Sequence, residues 1–295
     1  MLYIGSHTSF IKDKQLLGVV EESLSYGSNA FMFYTGSNQS TLRFPINHEL
    51  RDKAHELMKN NNIDKNNCVV HAPFIINLAN DSDEDKYQFY IDFFKKELER
   101  CKELDITKLV LHPGSYTKLT REDGIKNIAK GLNIALKDIE GVYVLLEFMS
   151  GKGTEVGSSI DDLKGIIYLL DKEVKNKVGV CLDTCHINDA GWDIKDFDIF
   201  LDEFDSKIGI DKIMCIHIND SYNTVGAHKD RHANFGYGTI GFDKLINVIY
   251  NPRLDNIPKI LETPWINRNE KDEWAPYKYE IEMIRNKKFT DYINK

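Results

Sequence analysis

Residues 178–186 of this 295-residue chain read Val-Gly-Val-Cys-Leu-Asp-Thr-Cys-His, an apolar, β-branched run that ends at Asp183. Short continuous apolar runs are typical of β-strands that are buried on both faces, as they are in parallel sheets. We therefore interpret residues 178–183 as a buried strand that delivers a metal-capable side chain at its carboxyl end.

The same pattern recurs along the whole chain. Eight such runs can be counted: Tyr3–His7, Ala30–Thr35, Cys68–His71, Leu109–His112, Val142–Glu147, Val178–Asp183, Ile213–His217 and Ile260–Glu262. Seven of the eight end in His, Asp or Glu. Helical spacing of apolar residues between the runs is clearest at Asp85–Leu104, Asp123–Ile139 and Asp161–Leu170.

Alternating strands and helices indicate a parallel sheet, because parallel neighbours need a crossover connection. Eight repeats over this length predict one domain, residues 1–295, folded as a closed (β/α)8 TIM barrel with the active site at the carboxyl ends of its strands. An open doubly wound sheet is the alternative, and it is disfavoured because no glycine-rich turn follows the first strand.

The composition, with 42% hydrophobic and 28% charged residues, is that of a folded globular protein. The sequence has no apolar run of about 20 residues and no features of a secretory signal near Met1, so we expect an intracellular protein that is neither secreted nor membrane-bound. Five scattered cysteines indicate buried, reduced thiols rather than zinc ligands. The net charge of −8 argues against a broad basic surface, so an anion site would need a local source of positive charge.

Polar residues that can bind metal lie at the ends of six predicted strands. They are His71, His112, Glu147, Asp183, His217 and Glu262. In a closed barrel these six side chains converge on one mouth. His186, Asp230 and His232 extend the set to five histidines and four carboxylates, which suits Zn, Mn or Fe and is too many ligands for one ion. Paired metals are the usual arrangement for phosphodiester hydrolysis.

Three motifs in this order resemble the endonuclease IV family, which are zinc-dependent apurinic/apyrimidinic endonucleases of DNA repair with a TIM-barrel fold. The motifs are Gly179-Val180-Cys181-Leu182-Asp183-Thr184-Cys185-His186, Ile216-His217-Ile218-Asn219-Asp220-Ser221 with Asp230-Arg231-His232 downstream, and His71-Ala72-Pro73-Phe74-Ile75-Ile76-Asn77-Leu78. The similarity runs from Tyr3 to Pro264.

The resemblance implies three zinc sites, with Mn²⁺ as an alternative occupant of one of them. The implied ligands are His71, His112 and Glu147 for the first ion; Glu147, Asp183, His217 and Glu262 for the second; and His186, Asp230 and His232 for the third. Glu147 would bridge two ions that activate the attacking hydroxide, which makes it the implied catalytic residue.

The implied substrate is double-stranded DNA with abasic sites or 3′-blocked ends, and the implied active form is a monomer. Cleavage 5′ to the abasic site would leave a 3′-hydroxyl and a 5′-deoxyribose phosphate. The implied DNA contacts are Asn38, Gln39, Phe74 and Ile75. Many family members have an arginine that enters the duplex directly after the Asn-Gln pair, whereas this chain has Ser40, with Arg43 nearby.

Two other functions are weighed against this one. A metal-dependent sugar isomerase or epimerase of a related barrel family would use one or two metals and a base, which leaves the His186, Asp230 and His232 set without a role. A non-catalytic binder of DNA lesions would not need all nine ligands.

Overall fold

A computed structural model describes residues 1–267 and 273–293 of the chain. Its eight main strands are β1 Ile4–His7, β2 Ala30–Phe33, β3 Cys68–His71, β4 Lys108–Leu111, β5 Tyr143–Glu147, β6 Val178–Asp183, β7 Ile213–His217 and β10 Lys259–Leu261. They are parallel and close into a barrel in chain order, with β10 returning to β1. The predicted closed (β/α)8 barrel is confirmed, and the open doubly wound sheet is excluded because the last barrel strand, β10, pairs with the first, β1, and so closes the sheet.

Helices surround the barrel and connect its strands. They are α1 Gln15–Ser25, α2 His48–Asn60, α3 Glu84–Leu104, α4 Arg121–Leu136, α5 Ile160–Tyr168, α6 Lys172–Lys175, α7 Thr184–Ala190, α8 Phe197–Lys207, α9 Phe242–Ile249 and α10 Tyr277–Asn286. Short 3-10 turns occupy Lys65–Asn67, Ile194–Asp196, Ile210–Lys212 and Pro252–Leu254. Two small antiparallel pairs lie in loops: β8 Asp220–Ser221 with β9 His232–Ala233, and β11 Ile266–Asn267 with β12 Glu273–Trp274.

The three predicted helices are α3, α4 and α5, and each begins one or two residues before its predicted start. The reason is local capping. The side chains of Asp83, Thr120 and Ser159 each accept a backbone N–H of the first turn, which draws the helix start back towards the cap. At α4 the cap is a full capping box, because Asp123 also reaches back to the Thr120 amide.

Two apolar layers hold the barrel together. The interior contains small and medium side chains, two from β2 and one from each of β3 to β7 and β10, all fully buried: Ala30, Met32, Val69, Val110, Leu145, Cys181, Cys215 and Ile260. A larger layer of aliphatic and aromatic residues fills the space between the sheet and the helices. This rigid scaffold fixes the carboxyl ends of the strands relative to one another.

None of the helices in the described part of the chain has the length and apolar character needed to cross a membrane.

Candidate metal centre

The carboxyl rim of the barrel gathers the polar residues that the sequence placed at strand ends. His71, Glu147, Asp183 and His217 are the last residues of β3, β5, β6 and β7. His112 and Glu262 are the first residues after β4 and β10, one position beyond the observed strand ends. All six donor side chains therefore face the same mouth, and Glu147 lies in the middle of them.

Glu147 connects the first two donor groups. Its Oε2 lies 3.1 Å from Nε2 of His71 and 3.1 Å from Nε2 of His112, while its Oε1 lies 3.1 Å from Nδ1 of His217. The Glu147 side chain is only 1% exposed. A buried carboxylate in contact with three imidazoles matches the bridging position that the resemblance implies.

The hydrogen bonding of His71 fits the role of a metal ligand. Its Nδ1 lies 2.7 Å from the carbonyl oxygen of Ala72, which can only accept, so Nδ1 carries the hydrogen. In the neutral ring, Nε2 then presents a lone pair to a Glu147 oxygen. Such a contact is repulsive unless a proton or a metal ion lies between the two atoms, and ligating histidines are usually oriented by a backbone carbonyl in this way.

The second donor group consists of Glu147, Asp183, His217 and Glu262, whose ligand atoms all lie within 4.8 Å of one another. Nδ1 of His217 is 2.9 Å from Glu262 Oε2 and 3.9 Å from Asp183 Oδ2. The first two groups contain the residues that the family resemblance implies for the first two ions.

The third group lies beside the second and shares a carboxylate with it. Nε2 of His186 and Nε2 of His232 lie 3.1 Å and 3.4 Å from Asp230 Oδ1. Asp183 Oδ2 is 3.7 Å from the same nitrogen of His232, a proximity that was not predicted from the sequence. Nδ1 of His186 donates to the carbonyl of Phe148 across 2.9 Å, which again leaves Nε2 free to act as a ligand.

The donor set fits transition-metal ions in both chemistry and spacing. Neighbouring ligands of a tetrahedral ion with bonds of about 2.0–2.1 Å lie about 3.3 Å apart, close to the separations found here. Nε2 of His232 is buried and has no hydrogen-bond partner among the described residues. Imidazole and carboxylate donors in these numbers suit Zn²⁺.

The electrostatics of the mouth also favour added positive charge. Burial opposes ionisation of Glu147, yet the neighbouring His112 and His217 outweigh it and hold the pKa of this carboxyl well below its usual range. Burial likewise opposes protonation of His186, but Asp183 and Asp230 raise its pKa well above the usual value. The carboxylates thus favour positive charge on the imidazoles, and bound metal ions can supply that positive charge in place of protons.

Asn219 contacts two of the carboxylate residues, a role that was not predicted from the sequence. Its side-chain amide donates to Asp183 Oδ2 across 2.7 Å, and its Oδ1 accepts the backbone N–H of Glu262 across 2.9 Å. The other oxygen of Asp183 caps α7 by accepting the His186 N–H at 2.9 Å. The signal available in the sequence was the position of Asn219, two residues beyond His217 in the same motif.

Asp189, also missed from the sequence, holds the loop that carries Asp230. Its side chain is fully buried and accepts hydrogen bonds from the Ser221 hydroxyl at 2.7 Å, the Asn223 amide at 2.8 Å and the Asp230 backbone N–H at 3.0 Å. Asp230 itself has a positive φ of 55°. Asp189 therefore offsets the strain of an aspartate held in the left-handed region.

The predicted DNA-contacting residues lie on two adjacent loops above the first donor group. The backbone N–H of Phe74 donates to the carbonyl of Asn38 across 3.1 Å, which joins the loops. Gln39 is exposed and Ile75 is half-buried. Phe74 is 50% exposed and the centroid of its ring lies 5.1 Å from that of His112, so the ring borders the first donor group.

Arg43 lies near these loops but does not point out towards a ligand. Its side chain is 1% exposed and is paired with Glu97. It therefore cannot take the place of the duplex-entering arginine for which this chain has Ser40.

All five cysteines are buried and free, as predicted. The sulfurs of Cys181 and Cys215 nevertheless lie within 4.8 Å of His217, and Cys185 lies within the same distance of ligand atoms of Asp230 and His232. Three cysteine sulfurs therefore lie close to the donor groups in addition to the nine predicted residues.

Comparison with known proteins places these features in context. A family model described as "Xylose isomerase-like TIM barrel" matches residues 20–287. The chain is 48% identical to a probable endonuclease 4 of Mycoplasma mycoides over 99% of both chains, and 47% identical to a probable endonuclease 4 of Enterococcus faecalis over 98% of this chain and 96% of that protein. The crystal structure of endonuclease IV from Thermus thermophilus superposes with a TM-score of 0.79 at 26% identity, covering 96% of this chain and 98% of that one. A D-tagatose 3-epimerase-like protein, at a TM-score of 0.67 and 21% identity over 96% of both chains, shares the fold.

Proposed function

The chain belongs to the endonuclease IV family of xylose isomerase-like TIM barrels, and we propose that it is a DNA repair hydrolase that cuts the phosphodiester bond 5′ to abasic sites in duplex DNA. The products are a 3′-hydroxyl and a 5′-deoxyribose phosphate, and 3′-blocking groups are removed by the same hydrolysis. The observation that carries the proposal is the convergence of nine imidazole and carboxylate donors, in three adjoining groups, at the barrel mouth.

Three Zn²⁺ ions fit these groups. The holding residues are His71, His112 and Glu147; then Glu147, Asp183, His217 and Glu262; then His186, Asp230 and His232. When bound, zinc supplies positive charge for the phosphate and lowers the pKa of a bound water from 15.7 to about 7. The ions also provide the local positive charge that a protein of net charge −8 needs for a phosphate substrate.

The protein's own residues position the substrate and the donors. Phe74 places a half-exposed aromatic side chain beside the first group, where it can pack against the abasic nucleotide or a neighbouring base. Lys229 and Arg231 are exposed on either side of Asp230, which places two cations where the phosphate backbone approaches the third group. Asn219 orients the carboxylate of Asp183 and holds the backbone of Glu262.

The sugar epimerase alternative has less support. Epimerase structures match at 21% identity or below and share the fold, whereas proteins named endonuclease 4 share nearly half of the residues over the whole chain. Proton transfer beside a carbonyl also gives no role to the third donor group.

Incision of defined duplexes tests the proposal. Three duplexes are compared: one with a natural abasic site, one with a tetrahydrofuran analogue that cannot undergo β-elimination, and one undamaged. We expect equal 5′ incision of the first two, no incision of the third, and loss of activity after metal removal with recovery on addition of Zn²⁺. Metal analysis of the purified protein should give about three zinc ions per chain.

Two results would contradict the proposal. Cleavage of the natural site but not of the tetrahydrofuran analogue would indicate a lyase. Full activity after complete removal of metal would exclude a metal-dependent hydrolase.

A further inference from the structure

A buried ion pair lies beneath the loop that carries Asn38 and Gln39. Nε of Arg43 donates to Oε1 of Glu97, on α3, across 2.6 Å, and the two side chains are 1% and 0% exposed. The guanidinium also lies over the Phe93 ring, 5.1 Å from its centroid. Removing two charges from water is unfavourable, and a buried pair is weak evidence for stability alone, so its other contacts indicate its role.

Those contacts are to the loop backbone. Nη1 of Arg43 faces three carbonyl oxygens, those of Ser37 at 3.2 Å, Ser40 at 3.0 Å and Leu42 at 2.9 Å. The chain wraps the guanidinium so closely that a Cβ at Gly36 would lie 2.9 Å from Nη1. One side chain therefore determines the path of the loop from Ser37 to Leu42.

Both ends of the loop are fixed by the same region of α3. The Thr35 hydroxyl donates to Glu97 Oε2 across 2.7 Å. Arg100 donates to the carbonyls of Thr35 at 2.9 Å and Phe44 at 2.7 Å. The segment 35–44 is thus attached to α3 at its start, along its length and at its end.

The loop is also attached to the mouth of the barrel. The carbonyl of Asn38 accepts the backbone N–H of Phe74 at 3.1 Å, and Phe74 borders His112. We infer that Arg43, together with Glu97, is a positioning residue that holds segment 35–44 in its DNA-binding shape before the duplex arrives. The inference rests on the proposed function, since it assigns to this pair the preorganisation of the surface that binds abasic DNA.

Substitution of Arg43 by methionine tests the inference, because methionine preserves most of the buried apolar volume but removes the charge and all donors. We expect KM for the abasic duplex to rise about 10- to 100-fold, while kcat changes by less than about threefold. Hydrolysis of bis(p-nitrophenyl) phosphate, a diester too small to reach the loop, should be unchanged, as should the zinc content. Chymotrypsin should cut after Leu42 faster than in the wild type, whereas the bond after Phe44 is protected in both proteins by Pro45.

Three further variants separate positioning from general stability. Arg43→Lys keeps the charge opposite Glu97 but loses the planar fork, so it should restore part of the affinity. Glu97→Gln should raise KM in the same direction, and it also serves if Arg43→Met does not fold. Arg253→Met is the matched control, since it breaks a pair with Asp202, 2.7 Å apart, on the outside of the barrel and should leave KM unchanged.

The outcomes distinguish the inference from the proposed function. An unchanged KM and unchanged chymotrypsin cleavage in folded Arg43→Met and Glu97→Gln would overturn the inference. A parallel loss of activity on the small diester would also overturn it, because the defect would then lie in the metal centre. If the wild type fails to cut abasic DNA, the proposed function fails, and the proteolysis comparison still reports whether Arg43 orders the loop.

Discussion

Substitution of Glu147 by glutamine is the most direct test of the donor cluster. The change keeps the size of the side chain and replaces one negative charge by a neutral amide. Glu147 contacts the imidazoles of His71, His112 and His217 at 3.1 Å each, so the substitution affects both the first and the second donor groups. Because the carboxylate is the charge shared by two groups, we expect both to bind zinc more weakly.

The expected loss of activity follows from this double role. Removal of one electrostatic stabiliser costs about 10²–10³ in turnover in other enzymes. With two ions weakened by one substitution, we expect turnover on an abasic duplex to fall by roughly 10⁴ or more. The barrel should remain folded, since the strands and their interior layer are unchanged.

The metal-free protein should respond differently at low and at high pH. At low pH a protonated His112 is attracted to the Glu147 carboxylate, and Glu147→Gln removes that attraction. Once His112 is neutral, at about pH 9, its Nε2 lone pair can face the carboxylate, whereas the amide N–H of the glutamine can donate to it, a hydrogen bond worth about 1 kcal/mol. We therefore expect chelator-treated Glu147→Gln to be more stable than chelator-treated wild type only at about pH 9, by about 1 kcal/mol.

The charge of Glu147 also makes the stability of the metal-free protein depend on pH. Burial lowers the pKa of His112, but the charge of Glu147 outweighs it and leaves the pKa above 6.5. A histidine whose folded pKa is raised stabilises the protein fully below the unfolded pKa and loses that stabilisation as pH rises through the folded value. The metal-free wild type should lose stability as pH rises above about 6.5, whereas Glu147→Gln should show a weaker dependence.

Three measurements check this reasoning: zinc per chain by elemental analysis, thermal unfolding with and without chelator from about pH 6 to 9, and single-turnover incision of an abasic duplex. A variant with wild-type zinc content, or with a tenth of wild-type activity, would refute the bridging role of Glu147. A metal-free variant that is less stable than metal-free wild type at about pH 9 would refute the account of the contacts.

Two further predictions concern other parts of the molecule. In His232→Ala the third group loses a nitrogen that lies 3.4 Å from Asp230, so we expect about one zinc ion fewer per chain and turnover reduced by at least about 10²–10³. The control is His228→Ala, which changes an exposed neighbour outside the donor groups and should retain the full zinc content. Equal zinc content and equal turnover in the two variants would contradict the third site. Burial lowers the pKa of Lys259 to about 8, so the folded protein holds the charged lysine at a cost below that pH. After allowance for the lost hydrogen bond to the Leu254 carbonyl, Lys259→Met should raise the free energy of unfolding by about 2 kcal/mol below pH 8. Urea unfolding should show this difference between variant and wild type shrinking from about pH 8 to 10.5, as the wild-type lysine loses its proton, and a difference that stays constant would contradict the prediction.

Much of the architecture follows from local patterns in the chain. Strands buried on both faces leave continuous apolar runs such as residues 178–183, and their alternation with helical segments predicts a parallel sheet whichever way it closes. In a closed barrel all carboxyl ends lie on one rim, so the sequence alone could predict that His71, His112, Glu147 and the other strand-end residues meet. Helix starts were predicted less well, because capping by residues such as Thr120 depends on side-chain hydrogen bonds that periodicity does not register.

Only the tertiary structure shows how the strand-end residues are divided among the three donor groups and which residues orient them. The position of Asp183 between the second and third groups depends on His232, 49 residues away, and the orientation of its carboxylate depends on Asn219, 36 residues away. The burial of Arg43 depends on Glu97, 54 residues away, and without that partner the sequence shows only an arginine near Asn38 and Gln39. The physical reason is that apolar periodicity and strand-end chemistry are written in neighbouring residues, whereas the distance between two charges, and the water excluded from between them, exist only after the helices have packed against the barrel.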